Sequence, residues 1–451
     1  MSHLKELFTV AARPLPPINN PTFGSFFDSL GKFKVVLLGD GSHGTSEFYA
    51  ARAEITKRLI DHHGFTVVAV EADWPDAEII DRYVRQRPGH KSHLGGPPSG
   101  YDPFSRFPTW MWRNHEMQEL VEWMRSHNGA LPDNQKVGFY GLDLYSMGAS
   151  IQAVIKYLDH VDPAASQAAR QRYSCLERWV DEPTAYGLAA LSGMTDCEKG
   201  VVQMLCELLK NRLEYAQHAQ DGEEYHSTEQ NAHVVRDAES YYKSMYYSSA
   251  SSWNLRDAHM LDTLHRIIQH KSSGGNAIKA VVWAHNSHCG DARYTSMGIK
   301  CKEVNIGQLC REQFGRENVA LLGCGTHSGT VAAAHGWDED MQRMIILPSR
   351  TDSWEYIAHK TGIPSFVLDL RQDCVDSELA RALEKEPDRL ERFIGVIYRP
   401  ETERLSHYSS ANLSNQFDAY VWFDSTQAVR PLEEHEPITG LGKEETYPFG
   451  L

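Results

Sequence analysis

The sequence predicts an α/β fold of three layers with a mostly parallel central sheet, and two observations support this. First, short runs of residues are almost continuously apolar, beginning with KVVLLG at 34–39. Continuous rather than alternating hydrophobicity indicates strands that are buried on both faces, as in a parallel sheet beneath helices. Second, apolar residues between the runs recur at steps of three and four, which is typical of helices that cover such a sheet. The predicted strands are 34–39, 65–73, 136–143, 278–286, 319–325, 365–371, 393–398 and 419–424.

Three of the predicted helices are marked by their own residues. In 46–63 the apolar positions share one helix face, namely Phe48, Ala51, Ile55 and Leu59. Asp73 is a candidate N-cap for a helix through 84, with Pro75 near the first helical position. Thr109 is a candidate cap for a helix over 109–127.

Two regions interrupt the alternation of strands and helices. Residues 86–108 are rich in Gly, Pro and His and are predicted to form a long loop, a kind of segment that often carries function. Residues 145–270 contain helical pattern without a strand-like run. We predict a helical insertion over 145–275 that flanks an active-site cleft, within a single domain spanning 1–451.

The composition of the chain indicates which kinds of partner and which cellular compartment to expect. The 451 residues carry a formal net charge of −15, which disfavours a nucleic-acid or anionic membrane partner. The first residues lack the apolar core of a signal peptide, and no run approaches the length of a membrane span. The cysteines form no CxxC pair, so we expect reduced thiols in a cytoplasmic protein. The sequence gives no indication of the oligomeric state.

Acids and histidines stand at the ends of four predicted strands. They are Asp40 and His43 after the first, Glu71 and Asp73 at the second, Asp143 at the third, and His285, Asn286 and His288 at the fourth. Each aspartate alone is typical of a cap or a turn. Ligands in open α/β sheets, however, bind at the carboxyl ends of the strands, so the coincidence predicts a site there.

Arg52 is expected to join this group. It lies four residues after Phe48, on or beside the buried face of the helix that follows His43. A buried arginine needs a carboxylate partner, and Asp40 and Glu71 are candidates. The alternative is that the side chain extends to the surface.

The residues leave two chemistries open. His285 and His288, with Asp40, His43 and Glu71, form a possible metal shell, but no HExxH motif is present. The serine-hydrolase motif GxSxG is absent from the chain. The other chemistry is a metal-free acid–base site, in which a histidine activates water and other histidines donate hydrogen bonds to an oxyanion.

Seven separated segments resemble the erythromycin esterase family, from about Leu37 to about Leu432. They are LLGDGSHGTSEFY, EADWPDAEIIDRYV, FPTWMWRN, GFYGLDLYSM, NLRDAHM, VVWAHNSHCGDAR and YRPETERLSHY followed by QFDAYVWFD. The resemblance implies an α/β fold with a helical region beside a deep cleft. It also implies hydrolysis of an ester or lactone by a histidine base acting on water, without metal or other cofactor.

The resemblance assigns roles to particular residues. His43 falls on the general base, while Glu71 and Asp40 support it. His285 and His288 complete the site, and Arg52 falls on a supporting arginine. Asp40 is a departure, because the family usually has Glu at this position, one methylene longer.

Other residues are weaker candidates for substrate binding or support. Arg256 either forms an internal ion pair with Asp257 or supports the site. The aromatics Trp74, Trp110 and Trp112 either line an apolar substrate wall or belong to the core. His407 and Tyr408 match the C-terminal motif and are candidates to face the substrate. Asp143 is expected to be a turn or cap residue.

Three hypotheses of function follow. The first is a metal-independent hydrolase of a small-molecule ester or lactone, such as a macrolide or another polyketide-like compound. The second is a biosynthetic enzyme that uses the same acid–base cluster for cyclisation, dehydration or isomerisation. The third is a non-catalytic protein that binds a ligand or a metal.

Overall fold

A nine-stranded sheet forms the centre of the molecule. The computed structural model describes residues 2–87, 103–217, 223–272, 275, 277–371, 374–375, 377–386 and 388–433. The strands are β1 Arg13–Pro14, β2 Val35–Asp40, β3 Val67–Asp73, β4 Gly138–Asp143, β5 Ala280–His285, β6 Val319–Ala333, β7 Gln342–Ile346, β8 Ser365–Asp369, β9 Arg389–Arg392, β10 Tyr408–Ala411 and β11 Ala419–Thr426. Strands β9 and β10 form a separate two-stranded sheet.

Helices surround the sheet and fill the region after β4. They are α1 Ser2–Ala11, α2 Ser46–His63, α3 Trp74–Val84, α4 Thr109–Trp112, α5 His115–Asn128, α6 Met147–Val161, α7 Pro163–Glu177, α8 Pro183–Leu191, α9 Glu198–Lys210, α10 Arg212–Gln217, α11 Glu223–Ser244, α12 Ser249–Ser272, α13 Asn286–Cys289, α14 Ile306–Phe314, α15 Trp354–His359, α16 Ser377–Lys385, α17 Glu403–Ser406 and α18 Leu413–Gln416. Of the helices in these ranges, none has the length and apolar character needed to cross a membrane.

The sheet is mostly parallel, as predicted. Its strand order is β1-β8-β11-β6-β2-β5-β3-β4, and β7 pairs with β6. The six strands from β11 to β4 are parallel to one another, whereas β1, β7 and β8 pair antiparallel. Parallel strands send their carboxyl ends to one edge, so this order brings the ends of β2, β5, β3 and β4 side by side.

Alternate residues of each central strand enter cores on opposite faces of the sheet. In β2, Val36 and Leu38 pack with α2 and α5, while Val35 and Leu37 pack with α1, α12 and α14. This two-sided burial explains the continuous apolar runs in the sequence, because neither face of these strands meets water. The arrangement confirms the three-layer α/β prediction.

The segment 393–398 is not a strand of the sheet, and this prediction was wrong. Its buried residues run past the ends of β2 and β6 instead of alongside them, with single bridges from Ile394 to Ser42 and from Ile397 to Ala334. A continuous apolar run is therefore explained here by burial of an extended segment. The segment also packs against the turn that follows β2, where the Ile394 amide donates to the Gly41 carbonyl over 3.0 Å.

The helix predicted from Thr109 is interrupted. Helix α4 ends at Trp112, and α5 begins after Asn114, whose side chain accepts a hydrogen bond from the Met117 amide. Asn114 is thus the cap, a role that favours asparagine over the helix interior. Thr109 lies inside α4, after Pro108.

Helices α6 to α12 occupy the predicted helical insertion, and α6 to α11 share an apolar core of their own. Cys175 and Cys197 form a disulfide in this region, with their Cα atoms 5.6 Å apart. The expectation of reduced thiols is therefore wrong for this pair. Their positions are 22 residues apart, and they meet because the end of α7 lies beside the start of α9. The division into one domain with an insertion stays a prediction.

Candidate active site

The ends of β2, β5, β3 and β4 form one polar edge. Asp40 is in register with His285 across β2 and β5, and Asp73 is in register with Asp143 across β3 and β4. Side chains that are distant in sequence are therefore neighbours at the carboxyl edge. The acids and histidines at the strand ends of the sequence predict this arrangement.

The turn after β2 depends on close backbone packing at Gly44. A Cβ atom there would lie 1.9 Å from the Ala332 carbonyl oxygen, which no side chain tolerates. The Gly44 carbonyl in turn accepts hydrogen bonds from the Ala332 and Val429 amides. This packing fixes the turn and so fixes His43, one residue earlier, at the sheet edge.

Asp40, His43 and Arg52, which we call the His43 cluster, lie at this turn. Arg52 Nη1 contacts Asp40 Oδ2 at 2.6 Å, which confirms the predicted partner. Helix α2 carries the guanidinium back to the turn, between the rings of Tyr49 and Trp283 at 4.6 Å from each centroid. His43 Nδ1 lies 3.5 Å from Asp40 Oδ1. Arg52 and Asp40 are both buried. The two aromatic faces hold the positive charge of the Arg52 guanidinium in place.

The His43 cluster contains polar atoms that make no hydrogen bond within the described part of the chain. They are Asp40 Oδ1, His43 Nδ1, and Nε and Nη2 of Arg52. Burial lowers the pKa of His43 to about 4, so its imidazole is neutral at neutral pH. Burial raises the pKa of Asp40 to about 7, against the opposing charge of Arg52.

Five charged residues form a second group, which we call the Arg256 cluster. They are Glu71, Asp143, Arg256, Asp257 and His288. Arg256 Nη2 donates to Glu71 Oε1 and to Asp143 Oδ2, each over 2.6 Å. His288 Nδ1 lies 2.9 Å from Asp257 Oδ1, and its Nε2 lies 3.2 Å from Glu71 Oε1. Arg256 and Asp257 thus bind different partners, so the internal ion pair between them is not formed.

The charges of this cluster support one another. Burial alone would raise the pKa of Glu71, but His288 and Arg256 hold it well below its usual range. Burial alone would lower the pKa of His288. The negative charges of Asp257 and Glu71 have the larger effect and raise this pKa to about 9. The raised pKa favours the protonated form of His288 at neutral pH, against the charge of Arg256, whose Nη1 lies 3.2 Å from Nε2. The ring stacks on Trp253 with ring centroids 4.4 Å apart. Asp143 makes the expected turn contact, in which its Oδ1 accepts a hydrogen bond from the Leu144 amide. It also forms the ion pair with Arg256.

His285 lies between the two clusters. Its ring centroid is 4.9 Å from that of His43, and Glu71 Oε2 accepts a hydrogen bond from its backbone amide over 2.9 Å. Burial and the neighbouring His43 lower the pKa of His285 well below its usual range, so the ring is neutral. Its Nδ1 accepts from the Ser287 amide, which leaves the proton on Nε2.

A cleft opens over this edge of the sheet. His43, Glu71, Asp143 and Arg256 line it. Further along the wall lie Asp73, Asp76 and Arg106, together with aromatic side chains. The aromatics include Phe104, Phe107, Trp112, Tyr145 and Trp337.

Several predicted substrate-facing residues lie elsewhere in the described structure. Trp74 packs against Tyr140 and donates to Ser227 Oγ over 3.2 Å, away from the cleft. Trp110 is buried in the core, whereas its neighbour Trp112 reaches the cleft. Of these three tryptophans, Trp112 alone therefore lines the cleft. Trp110 and Trp112 differ because the side chains of a short helix point in different directions.

The C-terminal candidates His407 and Tyr408 are also outside the cleft. His407 bonds to the Phe393 carbonyl and lines a neighbouring cavity that shares Trp337 with the cleft. Tyr408 Oη accepts from the Arg350 amide over 3.3 Å. These contacts give both residues a role in holding the segment beside the site. Of the predicted loop 86–108, residues 88–102 lie outside the described residues.

Sequence reasoning did not assign Asp76, Arg106, Tyr145 or Asp257 to the site. The strand-end rule reached Asp73 but stopped before Asp76, which lies one helical turn further on. Asp257 was visible only as the neighbour of Arg256, and nothing local indicates that it binds His288. Over the part of the chain that the structure describes, no group of three or more His, Cys, Asp or Glu side chains has a geometry suited to a metal ion.

Comparisons with known proteins identify the family. The family model for erythromycin esterase matches residues 60–426. Erythromycin esterase type II of Escherichia coli is 23% identical over 334 residues, covering 71% of this chain and 75% of its own. Erythromycin esterase type I of Escherichia coli is 21% identical over 318 residues, covering 67% and 72%.

Solved structures share the fold at low identity. A Bacillus cereus protein superposes with a TM-score of 0.77 at 18% identity, covering 95% of this chain and 98% of its own. A succinoglycan biosynthesis protein gives 0.73 at 21% identity, covering 95% and 98%. A mutant of the erythromycin esterase EreC in an open conformation gives 0.64 at 16% identity, covering 95% and 99%. The family model spans most of the chain, and the chain belongs to the erythromycin esterase family.

Proposed function

We propose that this protein hydrolyses an ester or lactone in a small molecule, such as a macrolide or another polyketide-like compound, with His43 as the general base. Family membership supports ester hydrolysis as the class of reaction. The observation that carries the assignment to His43 is its position: a neutral, buried imidazole that lines the cleft, with Nδ1 facing Asp40 at 3.5 Å. That orientation leaves Nε2 for a water molecule.

The proposed reaction needs three contributions. His43 removes a proton from water, and the hydroxide formed attacks the ester carbonyl. The carboxylate of Asp40 lies 3.5 Å from Nδ1 without a hydrogen bond to it, and its charge favours the proton on Nδ1 and stabilises the imidazolium that forms. The alkoxide leaving group then takes the proton back from His43, so the products are an acid and an alcohol.

Negative charge develops on the carbonyl oxygen during the attack. His285 and His288 were the predicted donors, and in this proposal His285 is the better placed because its neutral ring lies 4.9 Å from that of His43. Nδ1 of His288 faces Asp257, and its Nε2 lies 3.2 Å from both Glu71 and Arg256, so His288 acts on the site through those two residues. Arg256 lines the cleft and brings positive charge to the wall.

A hydrolysis screen of macrolides, lactones and simple esters tests the proposal. His43→Ala is expected to lower kcat by about 10²–10⁴-fold, the usual contribution of a general base, with the circular dichroism spectrum unchanged. His62→Ala is the matched control, because His62 is exposed on the same chain segment, α2. Full activity in His43→Ala would refute the assignment.

Product mass separates hydrolysis from the biosynthetic alternative. Hydrolysis adds the elements of water to the substrate, whereas an isomerisation leaves the mass unchanged and a dehydration lowers it. Metal analysis of the purified protein, with activity measured before and after chelation, tests the ligand- or metal-binding alternative. Activity that disappears on chelation and returns with the metal would overturn the metal-independent mechanism.

A further inference from the structure

Two buried glutamates lie beside the turn that follows β2. Glu355 is in α15 and Glu391 is in β9, and each is at most 1% exposed. Within the described ranges neither carboxylate forms an ion pair, because the nearby guanidinium of Arg392 binds Glu403 and backbone carbonyls instead. Buried carboxylates are costly without a cation. The proposed reaction uses neither glutamate, so their burial calls for another explanation.

Each of the two glutamates has one oxygen without a partner. Glu355 Oε1 accepts a hydrogen bond from the Arg392 amide over 2.8 Å, and Glu391 Oε1 accepts from Asn286 Nδ2 over 3.0 Å. Oε2 of each makes no hydrogen bond in the part of the chain that the structure describes. Burial and the charge of Glu355 raise the pKa of Glu391 to about 8, so the two carboxyl groups are close neighbours.

Two neutral oxygens lie in the same region. Gln416 Oε1 and Tyr420 Oη are buried and make no hydrogen bond among the described residues. The Gln416 side chain acts on Glu391, and burial with the charges of both glutamates raises the pKa of Tyr420 well above its usual range. The Tyr420 hydroxyl lies 1.8 Å from where a Cβ of Gly325 would stand, and Gly325 and Glu355 line one small cavity. Four unpaired oxygens from α15, β9, α18 and β11 therefore lie together in the interior.

The chemistry of these oxygens indicates the kind of ligand. Two of them carry negative charge, which a divalent cation balances. Carboxylate, amide and hydroxyl oxygens suit hard cations, and Ca²⁺ accepts irregular sets of them, whereas Mg²⁺ requires a near-ideal octahedron and keeps several waters. A proton shared between the glutamates would pair only the carboxylates and leave Gln416 Oε1 and Tyr420 Oη without a partner.

We propose that Glu355, Glu391, Gln416 and Tyr420 bind a calcium ion between the central sheet and β9. The ligands are two carboxylates, an amide and a phenol. The site is therefore distinct from the acids and histidines at the edge that carries His43.

The ion has a positioning role. Glu391 also bonds to Asn286, which follows His285 at the end of β5. Asn286 in turn donates to the Cys324 carbonyl and accepts from the Cys324 amide. The ion thus anchors β9 to β5 and β6 and stabilises the edge of the candidate active site. Calcium binding and unfolding are measured without hydrolysis, so the outcome does not depend on the proposed reaction.

Calcium binding to the whole protein tests this site. Protein treated with EGTA and checked by elemental analysis is titrated with CaCl₂ at pH 8 by calorimetry. We expect one ion per chain, with Ca²⁺ bound at least about tenfold more tightly than Mg²⁺. At about 100 times the Kd of Ca²⁺, the Tm is expected to rise by about 3 °C or more.

The outcomes of this titration are distinct. One calcium ion per chain that resists EGTA also supports the site. Protein that neither retains nor binds Ca²⁺ would overturn the proposal and favour a proton shared between the glutamates. Equal affinity for Mg²⁺ would overturn the assignment to calcium.

A change of charge assigns the ion to these residues. Glu391→Gln keeps the size of the side chain, and we expect it to lower the affinity for Ca²⁺ at least about 100-fold. Glu119→Gln is the matched control, because it removes the same charge from a side chain of α5 that is 71% exposed. Affinity that Glu391→Gln retains, or that Glu119→Gln loses equally, would contradict the proposal.

Without calcium, Glu391→Gln should have the opposite effect. It removes one of two adjacent buried charges, so its Tm should equal or exceed that of the metal-free wild type. With calcium the order reverses, because only the wild type binds the ion. A metal-free variant that unfolds below the metal-free wild type would show that something other than calcium balances the charge of Glu391.

Removal of one hydroxyl gives a milder test. Tyr420→Phe keeps the ring that packs against Phe417, and we expect it to bind Ca²⁺ several-fold more weakly. The Tm of the metal-free protein should not fall, because the hydroxyl makes no hydrogen bond within the described residues. Wild-type affinity in Tyr420→Phe would overturn the arrangement of four oxygens.

Discussion

The two buried ionic clusters at the sheet edge differ in how completely their polar atoms are paired. In the Arg256 cluster, guanidinium, imidazole and carboxylates contact one another over 2.6–3.2 Å. In the His43 cluster the single close contact is that of Arg52 with Asp40, and four side-chain atoms make no hydrogen bond within the described residues. Both clusters are buried, so exposure does not explain the contrast.

The contrast separates a fixed framework from a reacting group. A fully paired network in a low-dielectric interior is rigid, because any movement breaks several charge-assisted contacts. Unpaired buried atoms cost free energy and persist where a ligand completes them. We infer that the Arg256 cluster holds the edge in place and that the His43 cluster is reserved for water and substrate.

Removing the central cation should distinguish the clusters most strongly. Arg256→Met leaves Glu71 and Asp143 buried without their partner, and we expect a loss of about 3–5 kcal/mol in the free energy of unfolding. Arg52→Met is the matched variant. It should cost clearly less, because Asp40, with its pKa near 7, takes up a proton at neutral pH.

Urea unfolding of both variants at pH 7, followed by circular dichroism, makes this comparison. Equal losses would show that the two clusters contribute alike to the framework. A larger loss for Arg52→Met would reverse the assignment of framework and reacting group.

A smaller effect should appear in the pH dependence of stability. The pKa of His288 is raised to about 9, so its stabilising contribution is complete below the unfolded value of 6.5 and is lost as the pH rises through 9. The full contribution is about 3 kcal/mol. Asp257→Asn lowers the pKa of His288, so the stability difference between wild type and variant should narrow between pH 6 and pH 9.5.

Unfolding free energies of both proteins at the two pH values give the measurement. Other groups that titrate in this range, such as Asp40 and Asp76, are present in both proteins and cancel in the difference. A difference that stays constant with pH would mean that Asp257 does not set the charge of His288.

The sequence predicted the members of the His43 cluster better than those of the Arg256 cluster. Asp40 and His43 follow a buried strand, and Arg52 lies at a helical spacing from Phe48, so local periodicity places all three. Their mutual contact follows from a strand, a turn and one helix. Such short-range geometry is readable from a single sequence.

The Arg256 cluster depends on contacts across the whole chain. Arg256 meets Glu71 over 185 positions and Asp143 over 113 positions, and both contacts require a particular rotation of α12. Periodicity shows that a helix has a buried face, but not which strand end that face meets. The same limit explains why 393–398 was mistaken for a strand, since burial alone does not reveal strand pairing.

The smallest effect is expected in the pH profile of hydrolysis and tests the reacting group itself. In the proposed mechanism ionised Asp40 favours the His43 tautomer with its proton on Nδ1, so kcat/KM should rise with pH through about 7, where Asp40 ionises. Raising the pH from 7 to 9 then gives about a twofold gain. In Asp40→Asn the amide does not titrate, and the remaining activity should show its acid limb near pH 4, where His43 loses its proton.

The measurement is kcat/KM for one neutral ester between pH 3.5 and pH 9. Asp76 provides the decisive control, because its pKa also lies near 7. If Asp40 sets the limb, Asp76→Asn retains the midpoint near 7 and Asp40→Asn loses it. The opposite pattern would assign the titration to the cleft wall. It would also mean that Asp40 stays paired with Arg52 across this range, so that the His43 cluster is as fixed as its neighbour.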